Sequence, residues 1–168
     1  MSVISLDQLL NESSIYINIS SDYLTLSSIK HEHPVLVQLP TSRAIVSNHV
    51  MKILTIDSDF RLFEEQVAAY TEAKVPSTGV VQSEKHIHTS FDASTCKWFD
   101  ECNVHMDVTK MPLSGILNNN EFNCVPIIAI HGINLSNAIR VIDYEIIQVK
   151  YISFRPPVLP DLSKPLFI

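Results

Sequence analysis

"VPIIAIHGINLSNAIRVIDYEIIQVKYI", Val125 to Ile152, decides how this chain folds. Two apolar, β-branched runs flank a short polar connection, with Gly132 inside the first and Tyr144, Lys150 and Tyr151 inside the second. β-Branched residues pack well on a pleated surface, and two such runs around a short break read as a hairpin. One face of that hairpin is core. Alternation alone leaves open whether the other face is wet, charged and aromatic.

The same period of two recurs upstream. "SIYINIS" places Ile15, Ile17 and Ile19 on one face, Ser21-Asp22 turns the chain, and "YLTLSSI" returns it as a second hairpin. "VLVQL" is a strand between Pro34 and Pro40, and "RAIVSNHVMKILTI" is extended chain that forms either one bent strand or two. "NVHMDV" alternates, and "LSGIL" precedes the turn "NNNE".

Helices are few. Ser5 to Leu10 reads as one turn capped by Ser5. Asp57 to Lys74 is the clear helix: Asp57, Ser58 and Asp59 supply caps and negative charge where the dipole favours them, and Pro76 ends the pattern. Phe60, Phe63, Val67 and Tyr70 form its apolar stripe. "FDASTCKWFDEC" reads as a shorter helix burying Phe91, Trp98, Phe99 and Cys102. The expected fold is therefore mainly β with one or two helices, of the α+β class.

With 168 residues, 46% of them hydrophobic, the chain suits one domain with a real core rather than disorder. Residues 1–154 read as that β-rich domain. Residues 155–168 carry four of the nine prolines and end in Leu166-Phe167-Ile168, a strap that packs over the body or onto a partner, including a second copy in a homo-oligomer. A polar, acidic segment follows Met1, and no apolar run approaches the ~18 residues of a membrane span. An intracellular, soluble protein that is not secreted is the expectation.

The formal net charge of −6 weakens any claim to non-specific nucleic-acid affinity but permits a local basic groove. Cys96, Cys102 and Cys124 contain no CxxC pair and read as free thiols. His86 and His88 share one strand face, yet a second ligand pair with metal-binding spacing is missing, so no metal and no cofactor is expected. Three scattered glycines cannot cradle a phosphate, and no cysteine carries a nucleophile signature. Nothing nominates a reaction, and the expectation is a protein that is not an enzyme.

Cations interleaved with aromatics are the remaining signal. "CKWF" joins Lys97 to Trp98 and Phe99, and the closing strands carry Arg140, Tyr144, Lys150, Tyr151, Phe154 and Arg155. Exposed rings that stack bases, beside lysines that follow phosphates, hold single strands. The alternative is that Trp98 and Phe99 are helix core and Tyr144 and Tyr151 ordinary cross-strand partners. Lys150 and Tyr151 point to opposite faces by alternation.

Lys97-Trp98-Phe99, then Ile128, Ile130, Gly132 and Ile133, then Tyr144, Ile146, Ile147, Gln148 and Val149 together resemble the OB-fold single-stranded-DNA-binding proteins of large double-stranded DNA viruses. The likeness covers roughly the last third of the chain plus "KWF". A hydrophobic end stands where that family has an acidic tail. The resemblance implies a small OB-like barrel that binds single-stranded nucleic acid in replication or recombination, without catalysis. It implies backbone contacts from Lys97, Lys110, Arg140 and Lys150, and stacking by Trp98, Tyr144 and Tyr151. The other expectation is a structural or interaction protein of a viral assembly, using its barrel and proline-rich tail.

Overall fold

The computed structural model describes residues 3–9, 15–20, 22–28, 34–47, 50–75, 80–81, 84–90, 94–107, 120–136 and 139–154. Fifteen elements follow in chain order. They are β1 (Val3–Ile4), α1 (Leu6–Leu9), β2 (Ile15–Ile19), β3 (Tyr23–Ser28), β4 (Val35–Gln38), β5 (Ser42–Ser47) and β6 (Val50–Ile53). After α2 (Ser58–Lys74) come β7 (Val80–Val81), β8 (Ile87–Ser90), β9 (Lys97–Phe99) and β10 (His105–Met106). The chain closes with β11 (Phe122–Asn134), β12 (Ile139–Arg140) and β13 (Ile142–Phe154). The protein is mainly β with two helices and a mixed sheet.

The opening stretch forms the longest pairing. β11 and β13, 13 residues each, run antiparallel from Phe122↔Phe154 to Ile133↔Ile142. The ladder slips three times: Ile152 and Ile147 are extra residues in β13, and His131 is extra in β11. A bulge adds a residue to one strand only, so the in–out phase flips there. Along β13 the buried positions are Ile142, Tyr144 and Ile146 before the bulge, then Val149 after it.

Both long strands then recruit shorter ones. The far edge of β11 is shared end to end by β5 at 122–124, β4 at 127–130 and β3 at 132–134, all antiparallel. The far edge of β13 takes β8 and β9 in parallel. β5 pairs with β6 and β6 with β8, so "RAIVSNHVMKILTI" is two strands rather than one. β2 and β3 form the expected second hairpin, in register from Ile15↔Ser28 to Ile19↔Leu24.

Local signals explain both helices. Ser5 and Gln8 form a capping box: the Ser5 N–H donates to Gln8 Oε1 at 2.8 Å and the Gln8 N–H to Ser5 Oγ at 3.3 Å. The Asp57 carboxylate caps α2 by accepting from the Asp59 N–H at 2.8 Å. Phe60, Phe63 and Val67 face the core, with Glu64 and Thr71 buried beside them. Thr71 needs no distant partner, because its hydroxyl donates to the Val67 carbonyl at 2.7 Å.

The expected second helix is not there. Lys97–Phe99 is β9, with Trp98 fully buried against Phe122, ring centroids 5.6 Å apart. The cause lies just downstream. The Asp100 carboxylate accepts from the Cys102 and Val104 N–H groups at 2.9 and 2.8 Å, and Asn103 sits at φ 63°. That Asx turn reverses the chain into β10. Phe91, His49, "LSGIL" and the proline-rich strap of residues 155–168 lie outside the described residues.

Gly132 holds β3 against β11. Its φ is +145°, and a Cβ there would stand 1.8 Å from the Leu24 carbonyl oxygen. Substitution Gly132→Ala must push β3 away, so a loss of about 2 kcal/mol or more in urea-unfolding free energy is expected. An unchanged midpoint would contradict this close approach.

Candidate nucleic-acid interface

The parallel pairing of β9 with β13 sets one surface. Gln148 lies opposite Lys97, Val149 opposite Trp98, and Lys150 opposite Phe99. Val149 and Trp98 point into the core, so Lys97, Phe99, Gln148 and Lys150 share the outward face. Registers with β11 and β4 extend it into two rows. One runs Gln38, Ile127, Gln148, Lys97, and the next runs Val125, Lys150, Phe99, His105. A groove of about 410 Å³ lies over them, lined by Gln38, Phe99, Asn103, Val125, Gln148 and Lys150, with Ile127 in its floor.

The chemistry of this face is cationic and amide-rich. Neither Lys97 nor Lys150 has an ion-pair partner among the described residues, and no carboxylate lines the groove. Phe99 is half-buried, with the His105 ring edge-on to it at 5.7 Å and 80°. Among the described residues, Arg43 and Arg61 are committed elsewhere: Arg43 to Glu121 at 3.4 Å, and Arg61 to Glu64 and to the Glu84 carbonyl.

A second concavity, about 460 Å³, opens between α2, β8 and the start of β13. Tyr23, Glu84, His86, His88, Asn134 and Asp143 line it, above a floor made by Glu64 and Tyr144. Tyr144 donates its hydroxyl to Glu64 Oε1 at 2.8 Å, while Arg61 pairs with the other carboxylate oxygen. Burial first, then the Glu64 charge and hydrogen bond, hold the Tyr144 phenol well above its ordinary value. Burial and the neighbouring Asp143 likewise raise Tyr23. Glu84 stands 3.7 Å from His88 Nε2. Three carboxylates here repel phosphate, and no group of three metal-ligating side chains occurs among the described residues.

The expected contact residues therefore divide. Lys97 and Lys150 come together on the outward face, and Tyr151 is half-buried, its ring 6.2 Å from Phe122 on the opposite side of β13. Trp98, Tyr144 and Arg140 are corrected: they are 0%, 7% and 2% exposed and offer no ring or charge to a surface ligand. Trp98 fills the core, Tyr144 serves Glu64, and Arg140 donates to the Leu135 carbonyl at 3.0 Å, tying down the β11–β13 connection. Lys110 lies outside the described residues.

Gln148, Gln38, Asn103 and His105 lie on this face without having been candidate contacts in the sequence, and Phe99, weighed there beside Trp98, is the ring of the pair that faces outward. The Lys-Trp-Phe triplet held the missing signal, since in a strand its outer two residues share a face.

The thiols show why cysteine chemistry finds no support at two of three positions. Burial pushes Cys96 and Cys124 up to about 12, with lesser contributions from Glu145 on Cys96 and from Cys96 on Cys124. A thiol that stays protonated is a poor nucleophile. Cys102 is exposed. No protein-family model and no curated protein matches the chain.

Three measurements follow. At pH 8, a disulfide reagent should label Cys102 quickly in the folded protein and Cys96 and Cys124 only on unfolding; fast reaction of all three would contradict their burial. Because the folded thiols keep protons that the unfolded chain releases above its ordinary thiol range, their stabilisation is complete below pH ~9. It is lost as pH rises toward about 12. The urea midpoint should fall across that window. Separately, Tyr144→Phe leaves buried Glu64 without its hydroxyl donor. It should cost about 1–3 kcal/mol of stability, read from the same unfolding curves.

Proposed function

We propose that this protein binds single-stranded nucleic acid, without turnover, on the outward face of β9 and β13. One observation carries the reading. Lys97 and Lys150 stand on neighbouring strands of one outward face, with half-buried Phe99 directly across from Lys150, beside a groove that no carboxylate lines. In a chain of net charge −6, two cations without acidic partners beside an accessible ring are a local exception. Ammonium groups neutralise phosphates, and a base stacked on an aromatic ring gains ~1–3 kcal/mol.

An OB-like barrel is the architecture proposed with it. Its support is a circuit of pairings that returns to its start: β5 to β6, β6 to β8, β8 to β13, β13 to β11, and β11 to β5. Numbered in chain order, these five strands follow one another around the circuit as first, second, third, fifth, fourth. A five-stranded Greek-key ring is the OB arrangement. The sequence resemblance adds the setting, the handling of unpaired viral DNA in replication or recombination inside the host cell.

Fluorescence anisotropy with a labelled 20-nucleotide strand, titrated across salt, tests the proposal. Affinity should fall as salt rises, with a log–log slope of about −0.7 per phosphate neutralised. Lys97→Ala and Lys150→Ala should each weaken binding and flatten the slope by about one contact. Phe99→Ala should lose about tenfold or more without changing the slope. Absent or salt-independent binding by the unaltered protein would end this reading.

A further inference from the structure

We infer that the amides of Gln38 and Gln148 grip the Watson–Crick edge of an unpaired base, and that this grip makes the site prefer single strands to duplex. The inference rests on the nucleic-acid reading above and names what the groove recognises beyond charge.

The geometry comes from register. Gln38 on β4 and Gln148 on β13 both face Ile127 of β11, one from each side, and both line the groove. With strands ~4.8 Å apart, the two backbones flank Ile127 at roughly 10 Å from each other. Gln148 is also two residues from Lys150, the residue opposite Phe99. A ring stacked on Phe99 therefore presents its edge toward Gln148, a diagonal of roughly 7–8 Å between the two positions. Neither amide has a side-chain hydrogen-bond partner among the described residues. Ile127 between them, and Val125 in the next row, are partly buried and apolar, so the floor offers no competing polar contact.

Chemistry then separates the roles. A primary amide carries a donor and an acceptor side by side. The Watson–Crick edge of every base also presents a donor next to an acceptor, so a glutamine matches any of the four. It matches them only when the edge is free, because pairing in a duplex consumes the same atoms. Phosphates, by contrast, are available in both forms, and Lys97 and Lys150 carry no information about strandedness. The amides supply that information while leaving the site tolerant of sequence.

The test uses the full chain and three labelled ligands: a mixed-sequence 20-nucleotide strand, its duplex, and the same strand with abasic residues. The unaltered protein is compared with the doubly substituted Gln38→Leu/Gln148→Leu protein, whose urea midpoint is checked first. The double substitution should weaken single-strand binding about tenfold or more while duplex affinity and salt slope stay as they were. The unaltered protein should bind the abasic strand more weakly still than the variant binds the normal one, because the abasic strand loses its stack on Phe99 as well as its amide contacts. Equal losses on strand and duplex, an unchanged ratio, or abasic binding as tight as normal binding would each overturn the inference; the abasic comparison stands even if the variant does not fold. If the unaltered protein binds none of the three at low salt, the underlying reading falls and takes this one with it.

Discussion

The antiparallel ladder between β11 and β13 is the constraint on which the other strands depend. β3, β4 and β5 hydrogen-bond to one of its long edges, and β8 and β9 to the other. Each of these partners is short, so none could set its own register far from that ladder. Three bulges within it decide which side chains meet the core. The bulge at Ile147 has the widest effect. Before it, even-numbered residues of β13 point inward; after it, odd-numbered ones do. Tyr144 thereby joins the core, and Gln148 and Lys150 turn outward.

This phase flip also separates charge along one strand. The outward positions of β13 run Asp143, Glu145, Gln148, Lys150, acidic at one end and cationic at the other. The acidic end contributes to the cavity with Glu64 and Glu84, and Glu145 meets His131 at 3.0 Å. The cationic end meets Lys97. Carboxylates and ammonium groups thus sit at opposite ends of one strand, a separation that a net charge averaged over the molecule conceals.

Helix α2 is fastened to this frame by both packing and polarity. Phe60 touches Phe63 and Tyr144, with centroids 5.8 and 5.7 Å apart. Glu64, 5% exposed, is met by Tyr144 and Arg61 together. A buried carboxylate is costly unless paired and hydrogen-bonded, and here both oxygens are served. The same Arg61 reaches the Glu84 carbonyl, so helix and β8 approach are joined through one side chain.

By itself the sequence determined the elements whose signals are local. Alternation marked both hairpins, Asp57 and the spacing of Phe60, Phe63 and Val67 marked α2, and Ser5 marked the cap of the first turn. The tertiary structure alone decided the face each candidate residue took. Strict alternation groups Tyr144 with Lys150, and helical spacing groups Trp98 with Phe99; both groupings fail. The first fails because a bulge answers to pairing across a partner strand, not to propensity at Ile147. The second fails because β9 is held by parallel contacts to residues some fifty positions away, and the Asp100 turn outweighs local helix pattern. A period of two or 3.6 is a property of a segment, whereas its phase against the core belongs to the partner it pairs with.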